Sequence, residues 1–201
     1  MAVLQHRIER AASGKTSYLV RRAIDCLDRG YGQVMILTGL TSHAQELTAR
    51  LRAAGEEVLV GTGDETSPAD RQAMVAEFRA GTRIILVGTI YAWMVGIDGL
   101  QGLPKVLIGM FPWNINATQL LGRFRRYGAT RSSDIEIVQS RETIEDQVYD
   151  TVIQKLRTAS GLLADDDLGS LASTLEGDVA AQDEEEILSL VSALLKQEDD
   201  E

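Results

Sequence analysis

Five short strand-like segments recur along this chain, at residues 33–37, 57–60, 83–87, 105–110 and 134–138, with helical spacing between them, and the first, QVMIL, is a continuous apolar run. An apolar run without alternation is what a strand buried on both faces requires, and such burial needs helices on either side of a parallel sheet. Helical spacing occurs at Tyr18, Leu19, Ala23, Ile24 and Leu27 up to Gly30, then at Ala44, Leu47 and Leu51 up to Gly55. Pro68 suits the first turn of a helix carrying Met74, Val75 and Phe78. Thr118, Leu121 and Arg125 mark another helix, and Ile144, Val148, Val152 and Leu156 a last one. This alternation predicts a three-layer α/β domain around a central, mostly parallel sheet, over residues 13–162. Residues 1–12 read as an N-terminal extension, in which LQHRIERA (4–11) looks helical.

Charge divides the chain a second way. Residues 163–201 hold 13 of the 30 acidic residues and Lys196 alone among the 20 basic ones. The remaining 17 acidic and 19 basic residues leave the body slightly basic, so the net charge of −10 belongs to the tail. Residues 163–186 read as a linker. Residues 187–197, with Ile187, Leu188, Val191, Leu194 and Leu195 in one stripe, read as a short amphipathic helix. Such a tail solubilises, or covers the body's nucleic-acid edge as a competing polyanion, or docks its stripe on a partner. No stretch approaches the roughly 20 apolar residues of a membrane span, and the first residues lack a secretory signal. Cys26 is a lone cysteine, and His6 and His43 are too few and too far apart for a zinc site, so no metal is expected and a cytoplasmic (or nucleoid-associated) setting is.

Ser13-Gly14-Lys15-Thr16 ends like a phosphate-binding loop. That loop needs a glycine where Glu9 stands and a buried strand before it, because successive backbone N–H groups must wrap the phosphates. A helix N-terminus capped near Ser13 is the expectation instead.

The chemistry concentrates in Gln119-Leu-Leu-Gly122-Arg123-Phe-Arg125-Arg126-Tyr-Gly128. Arg123 and Arg126 are three residues apart and share a helical face, so both guanidiniums can reach one anion. A fixed, always-charged fork of this kind stabilises the charge that develops on a transferring phosphoryl group. By contrast, Arg21 with Arg22 and Arg50 with Arg52 read as solvated helix faces. Trp93 and Trp113 are either base-stacking or buried aromatics.

This stretch resembles motif VI of superfamily 2 helicases, and its surroundings resemble the second RecA-like lobe of the Swi/Snf type. Gln33–Thr38 followed by Ser42 resembles motif IV. Gly55, Gly63, Arg71 and Phe78 resemble the segment that follows it. Thr89 through Gly96-Ile97-Asp98 resembles motif V, Pro112-Trp113-Asn114 the "W-N-P" element, and Thr143-Ile144-Glu145 the "T-I-E-E" segment. The chain departs from the pattern where Tyr91-Ala92-Trp93 replaces small residues, where Ile115 replaces proline, and where Asp98 is closer to the DEAD-box "G-I-D".

The resemblance implies a RecA-like helicase C-terminal lobe. In open parallel sheets, ligands sit beyond the carboxyl ends of the strands. Thr38, Ser42, Gly63 and Thr89 would there contact a nucleic-acid backbone, DNA or RNA, without reading sequence. Gly96, Asp98 and Gly122 would meet the nucleotide, and Gln119, Arg123 and Arg126 would face its γ-phosphate. No Walker A lysine or Walker B acid accompanies them. ATP and Mg2+ would therefore be held by a separate Walker A/B-bearing lobe, with this chain the second half of a split motor and no ATPase alone. The alternative from another class is a non-catalytic nucleic-acid-binding adaptor or regulator derived from such a lobe.

Overall fold

A computed structural model of the chain describes residues 3–9, 14–63, 66–94, 97–109, 116–124, 129 and 131–140, and scattered positions from 145 to 158. The chain divides into two units, Met1–Lys155 and Leu156–Glu201. Every element named below belongs to the first. The linker and amphipathic helix expected within 163–201 lie outside the described residues, as do Ile144, Val148, Val152 and Leu156 of the expected last helix. Helical positions there include Tyr149 and Ile153, both buried.

The elements run β1 (Val3–Glu9), α1 (Gly14–Asp28), β2 (Gln33–Thr38), α2 (Thr41–Ala53), β3 (Val58–Gly61), α3 (Pro68–Ala80), β4 (Ile84–Thr89), α4 (Ile90–Met94), β5 (Lys105–Ile108), α5 (Asn116–Phe124) and β6 (Asp134–Ser140). The strands form one six-stranded sheet in the order β1-β6-β5-β2-β4-β3. Each neighbouring pair is parallel. A strand falls on each of the five segments, and β2, β4 and β5 are buried along their whole length. Val34, Ile36, Ile85, Val87 and Leu107 pack on one face against Leu19, Ala23 and Cys26 of α1 and Leu47 and Leu51 of α2. Met35, Leu37, Leu86, Val106 and Ile108 alternate to the opposite face and are buried as well. The sheet is therefore covered on both sides, as the unalternated run QVMIL demands. Helix α3 starts as Pro68 predicts, with a reciprocal capping box between Ser67 and Asp70. No helix among the described residues is long and apolar enough to cross a membrane.

One element differs from expectation. Within the stretch 4–11, the described residues 4–9 are not helical: Val3–Glu9 is the edge strand, paired with β6 from Val3↔Asp134 to Glu9↔Ser140. Leu4 and Ile8 are four residues apart, a spacing that fits one face of a helix and equally one face of a strand. The free edge of β6 settles the ambiguity, since a strand laid there satisfies a ladder of backbone groups.

The helix faces also hold a correction. Arg21 and Arg50 are exposed, but Arg22 is half-buried and its Nε bonds Glu136 at 2.9 Å. Glu136 is fully buried and also receives Lys105 at 2.8 Å and the Tyr18 hydroxyl at 2.6 Å. Burial pushes the Glu136 carboxyl up, but bonds from Lys105, Tyr18 and Arg22 outweigh this and hold it below the ordinary carboxylate value. Arg52 is exposed as expected, with one guanidinium nitrogen donating to Val58 O at 2.9 Å. Lys105 and Asp134 open strands β5 and β6 and pair at 3.1 Å, so this charged cluster sits toward the amino ends of the strands, away from the edge considered next.

Candidate nucleic-acid and nucleotide edge

Because β2, β3, β4 and β5 are parallel, Thr38, Gly61, Thr89 and Ile108 end at one edge of the sheet. Register makes this tighter, with Thr38 opposite Thr89 and Gly61 opposite Gly88. Of the four residues expected to touch a nucleic-acid backbone, Ser42 and Gly63 are exposed, while Thr38 and Thr89 are buried beneath them. Ser42 lies in the first turn of α2, whose N-cap, Leu40, supplies no side-chain hydrogen bond. The N-cap side chain thus gives no hydrogen bond to the positive end of that helix dipole.

Thr38 is held from within. Its Oγ1 lies 2.8 Å from His43 Nδ1, and His43 Nε2 lies 3.1 Å from Thr16 Oγ1, which ties β2, α2 and α1 together at the edge. Burial pushes the His43 pKa down and the Lys15 charge adds to this, with Arg50 acting the same way and Glu46 and Glu145 opposing. The folded chain therefore favours neutral His43, whereas the unfolded chain protonates near its ordinary 6.5. Above that pH the contribution to stability is complete. As pH falls below it, the unfolded state takes up a proton that the fold resists, and stability drops until the depressed folded pKa is passed. Thermal melts of the wild type and His43→Gln at pH 7.5 and 5.5 check this: the wild type should lose more on acidification than the variant.

Lys15 settles the status of the Gly14-Lys15-Thr16 sequence. β1 followed by α1 does supply the strand-then-helix order that a phosphate loop needs, so the helical lead-in is no argument against one. The lysine itself is committed. Lys15 is buried, its Nζ donates to Gly109 O at 2.9 Å, and it forms an ion pair with Glu145. Glu145 also accepts the Ser140 N–H at 2.8 Å. Burial lowers the Lys15 pKa, and the Glu145 carboxylate pulls the other way. A carboxylate thus stands where a phosphate would have to be held. Helix α1 begins at Gly14, while Ser13 lies outside the described residues.

On the nucleotide side, Arg123 extends from the end of α5 to the loop after α4. Its Nε donates to Met94 O and its Nη1 to Ile97 O, each at 3.0 Å. Helix α3 grips the same loop from the other direction. Gln72 makes a two-way bridge to the Asp98 backbone, at 3.2 and 3.3 Å, and Arg79 donates to Gly99 O at 2.9 Å and to Gln101 O. Asp98 is exposed on this clamped loop, and Gly122 is exposed on α5, where an added Cβ would meet nothing within 4 Å. Gln119 falls on α5. Gly96, Trp113 and Arg126 lie outside the described residues, so the pairing of Arg126 with Arg123 is carried by spacing alone. Arg71 and Phe78, also part of the resemblance, are buried on α3, with Arg71 Nη1 donating to Thr66 O.

Trp93 is a core residue and not a stacking platform. It is fully buried, and its Nε1 donates to Gly61 O at 2.7 Å. A Cβ on Gly61 would come 2.4 Å from its ring, and one on Gly88 2.1 Å, so two register-paired glycines form the floor on which the indole lies. Sequence reasoning missed this seat, and it missed the grips of Gln72 and Arg79. The first had a signal, the bulky Tyr91-Ala92-Trp93 where small residues belong. The second had none, since a backbone carbonyl that accepts a side chain leaves no mark in sequence.

No known protein family matches the sequence of this chain, and no curated protein does. Solved structures do match in fold. The C-terminal part of the Fun30 ATPase domain superposes with a TM-score of 0.61 at 22% identity, over 69% of this chain and 45% of that one. The Pyrococcus furiosus Hef helicase domain gives 0.56 at 19% identity, over 68% of this chain and 28% of that one. The E. coli DEAD-box protein SrmB, solved bound to regulator of ribonuclease activity A (RraA), gives 0.58 at 19% identity, over 77% and 85%. The chain spans less than half the length of the first two. Its fold is the RecA-like α/β fold of these ATPase and helicase domains.

Proposed function

We propose that this chain works as the second RecA-like lobe of a superfamily 2 helicase or translocase, of Swi/Snf-like pattern. It would supply arginine-finger and nucleic-acid backbone contacts to a Walker A/B-bearing lobe that holds ATP and Mg2+. Lys15, the one Walker-like lysine, is paired with Glu145, which supports a triphosphate held by the other lobe. The observation that carries the reading is the Arg123 clamp. One guanidinium of the arginine-rich helix holds Met94 O and Ile97 O, in the segment that begins at the end of β4. Arg123, in the stretch proposed to sense the γ-phosphate, is thereby tied to the segment that follows Thr89, one of the residues proposed to grip a strand. Ser42, Gly63 and the start of α2 would seat phosphates of the strand. Thr38 and Thr89 would set the height of that edge from below.

In phosphoryl transfer the protein contributes position and charge. The bond from the γ-phosphorus to its bridging oxygen breaks as water attacks in line, and Arg126, with Gln119 beside it, would stabilise the negative charge on the oxygens. Gly96, Asp98 and Gly122 would line the nucleotide side. The test mixes the full chain with a Walker-bearing lobe and measures ATP turnover with and without nucleic acid. Turnover well above that of the lobe alone is expected. A mixture no faster than the lobe alone would overturn the motor reading, and nucleic-acid binding that persisted without turnover would put the adaptor in its place.

A further inference from the structure

Residues 97–102 form no helix or strand, yet side chains take up most of their backbone polar groups. Arg123 donates to Ile97 O at 3.0 Å, and the Gln101 side chain accepts the Gly99 N–H at 3.1 Å. The rest of the grip comes largely from α3, which lies along this loop. Gln72, Val75 and Arg79 stand at i, i+3 and i+7, so they form one line down the helix. They meet the loop in the same order. The Gln72 amide accepts the Asp98 N–H at 3.2 Å and donates to Asp98 O at 3.3 Å. Val75 lies against Gly99, where an added Cβ would come 2.8 Å from its Cγ1. Arg79 donates to Gly99 O at 2.9 Å and to Gln101 O.

These contacts do different things. Val75 is buried and Arg79 half-buried, so both hold the loop to the body, whereas Gln72 and Asp98 are exposed. A hydrogen bond made in water replaces one to solvent and adds little to stability. Two bonds from one amide to the N–H and C=O of the same residue still fix how that residue is turned. Asp98 has a use for such a hold. Ile97 before it is anchored by burial, but Gly99 after it has a φ of 90°, where glycine turns freely. We propose that Gln72 is a positioning residue for the nucleotide, holding the Asp98 backbone so that its side chain meets bound ATP in one orientation. This role rests on the reading above, in which Asp98 lines the nucleotide side. A group already held in place gives up less freedom on binding than one that must be ordered at each encounter. Loss of the hold should therefore weaken ATP binding and spare the chemical step, which Gln119 and Arg126 serve in that reading.

The experiment first follows amide hydrogen exchange in the full chain alone. Gln72→Ala should speed exchange of the Asp98 N–H, while its thermal melt should match the wild type. The full chain is then mixed with a Walker-bearing lobe and ATP turnover is measured. Gln72→Ala should raise KM for ATP about three- to ten-fold, the range of a net hydrogen bond, with kcat within about two-fold of the wild type. Gln72→Met, similar in length but without the amide, should do the same. In an Asp98→Ala background, Gln72→Ala should have no further effect on KM, because a residue that acts through Asp98 has nothing left to position.

Unchanged exchange at Asp98 in Gln72→Ala would overturn the role without reference to any partner, since the bridge would then not hold the loop. A lowered melting temperature would assign Gln72 to the framework of the fold and overturn it as well. A KM that Gln72→Ala leaves unmoved, or moves equally with and without the Asp98 side chain, would overturn the role and leave the motor reading standing. A wild-type mixture no faster than the lobe alone would overturn the motor reading and this role with it, even where exchange at Asp98 responds as expected.

Discussion

Trp93→Ala is expected to lower the stability of the folded chain by about 3–5 kcal/mol, the cost of truncating a large aromatic in a packed interior. Trp93 is fully buried, and its neighbours are poorly placed to close the gap. The floor beneath it is Gly61 and Gly88, which have no side chains to move into a cavity. Truncation also removes the indole donor from Gly61 O. Trp93→Phe should cost less, because it retains most of the ring area and loses mainly the hydrogen bond. A second substitution isolates the cause. Gly88→Ala alone puts a methyl 2.1 Å from the indole nitrogen and should be strongly destabilising. In the Trp93→Ala background the clash with the indole is gone while the 2.8 Å approach to Gly61 O remains, so the same methyl should cost less than it does in the wild type. Urea unfolding of the four proteins measures this coupling. Additive losses would show that the indole and the two glycines do not form one unit.

In a reconstituted motor, Arg126→Ala is expected to reduce nucleic-acid-stimulated ATP turnover by about 10³–10⁵-fold, the range found for arginine fingers. Stability should be unchanged. Arg123→Ala should behave differently, because the Arg123 guanidinium bonds two backbone carbonyls on the loop after α4. Its loss should reduce turnover and also speed amide hydrogen exchange in that loop, while Arg126→Ala should leave exchange there as in the wild type. Arg123→Lys should not rescue the exchange pattern, since an ammonium lacks the planar fork that spans two oxygens at once. An Arg126→Ala mixture as active as the wild type would remove the finger role. Unaltered loop exchange in Arg123→Ala would remove the coupling between the two sides of the edge.

Much of the fold was legible because burial on two faces leaves a one-dimensional record. The segments ending at Leu37, Val60, Val87 and Val138, and the one beginning at Lys105, were expected as strands between helices, and β2 to β6 fall on them. Tertiary pairing had to decide where one spacing fits two structures, as with Leu4 and Ile8. Arg22 was misassigned for a related reason. An arginine next to an exposed one on a helix looks solvated until Glu136, 114 residues away, is brought under it by β6. Of the candidate site, the strand ends were readable, since a parallel sheet necessarily gathers them. The state of each side chain there was not. Thr38 is bonded inward to His43, and Arg123 is bonded to backbone.

The amino-acid sequence alone determined the layered architecture, the strand ends that a parallel sheet gathers, and the acidity of the tail. Those follow from periodicity, order and charge, which are local properties of the chain. Only the tertiary structure decided that Lys15 answers to Glu145 and that Trp93 lies on two glycines. Each of those outcomes depends on which distant residues the parallel register places within a few ångströms of one another, and no window of sequence contains that information.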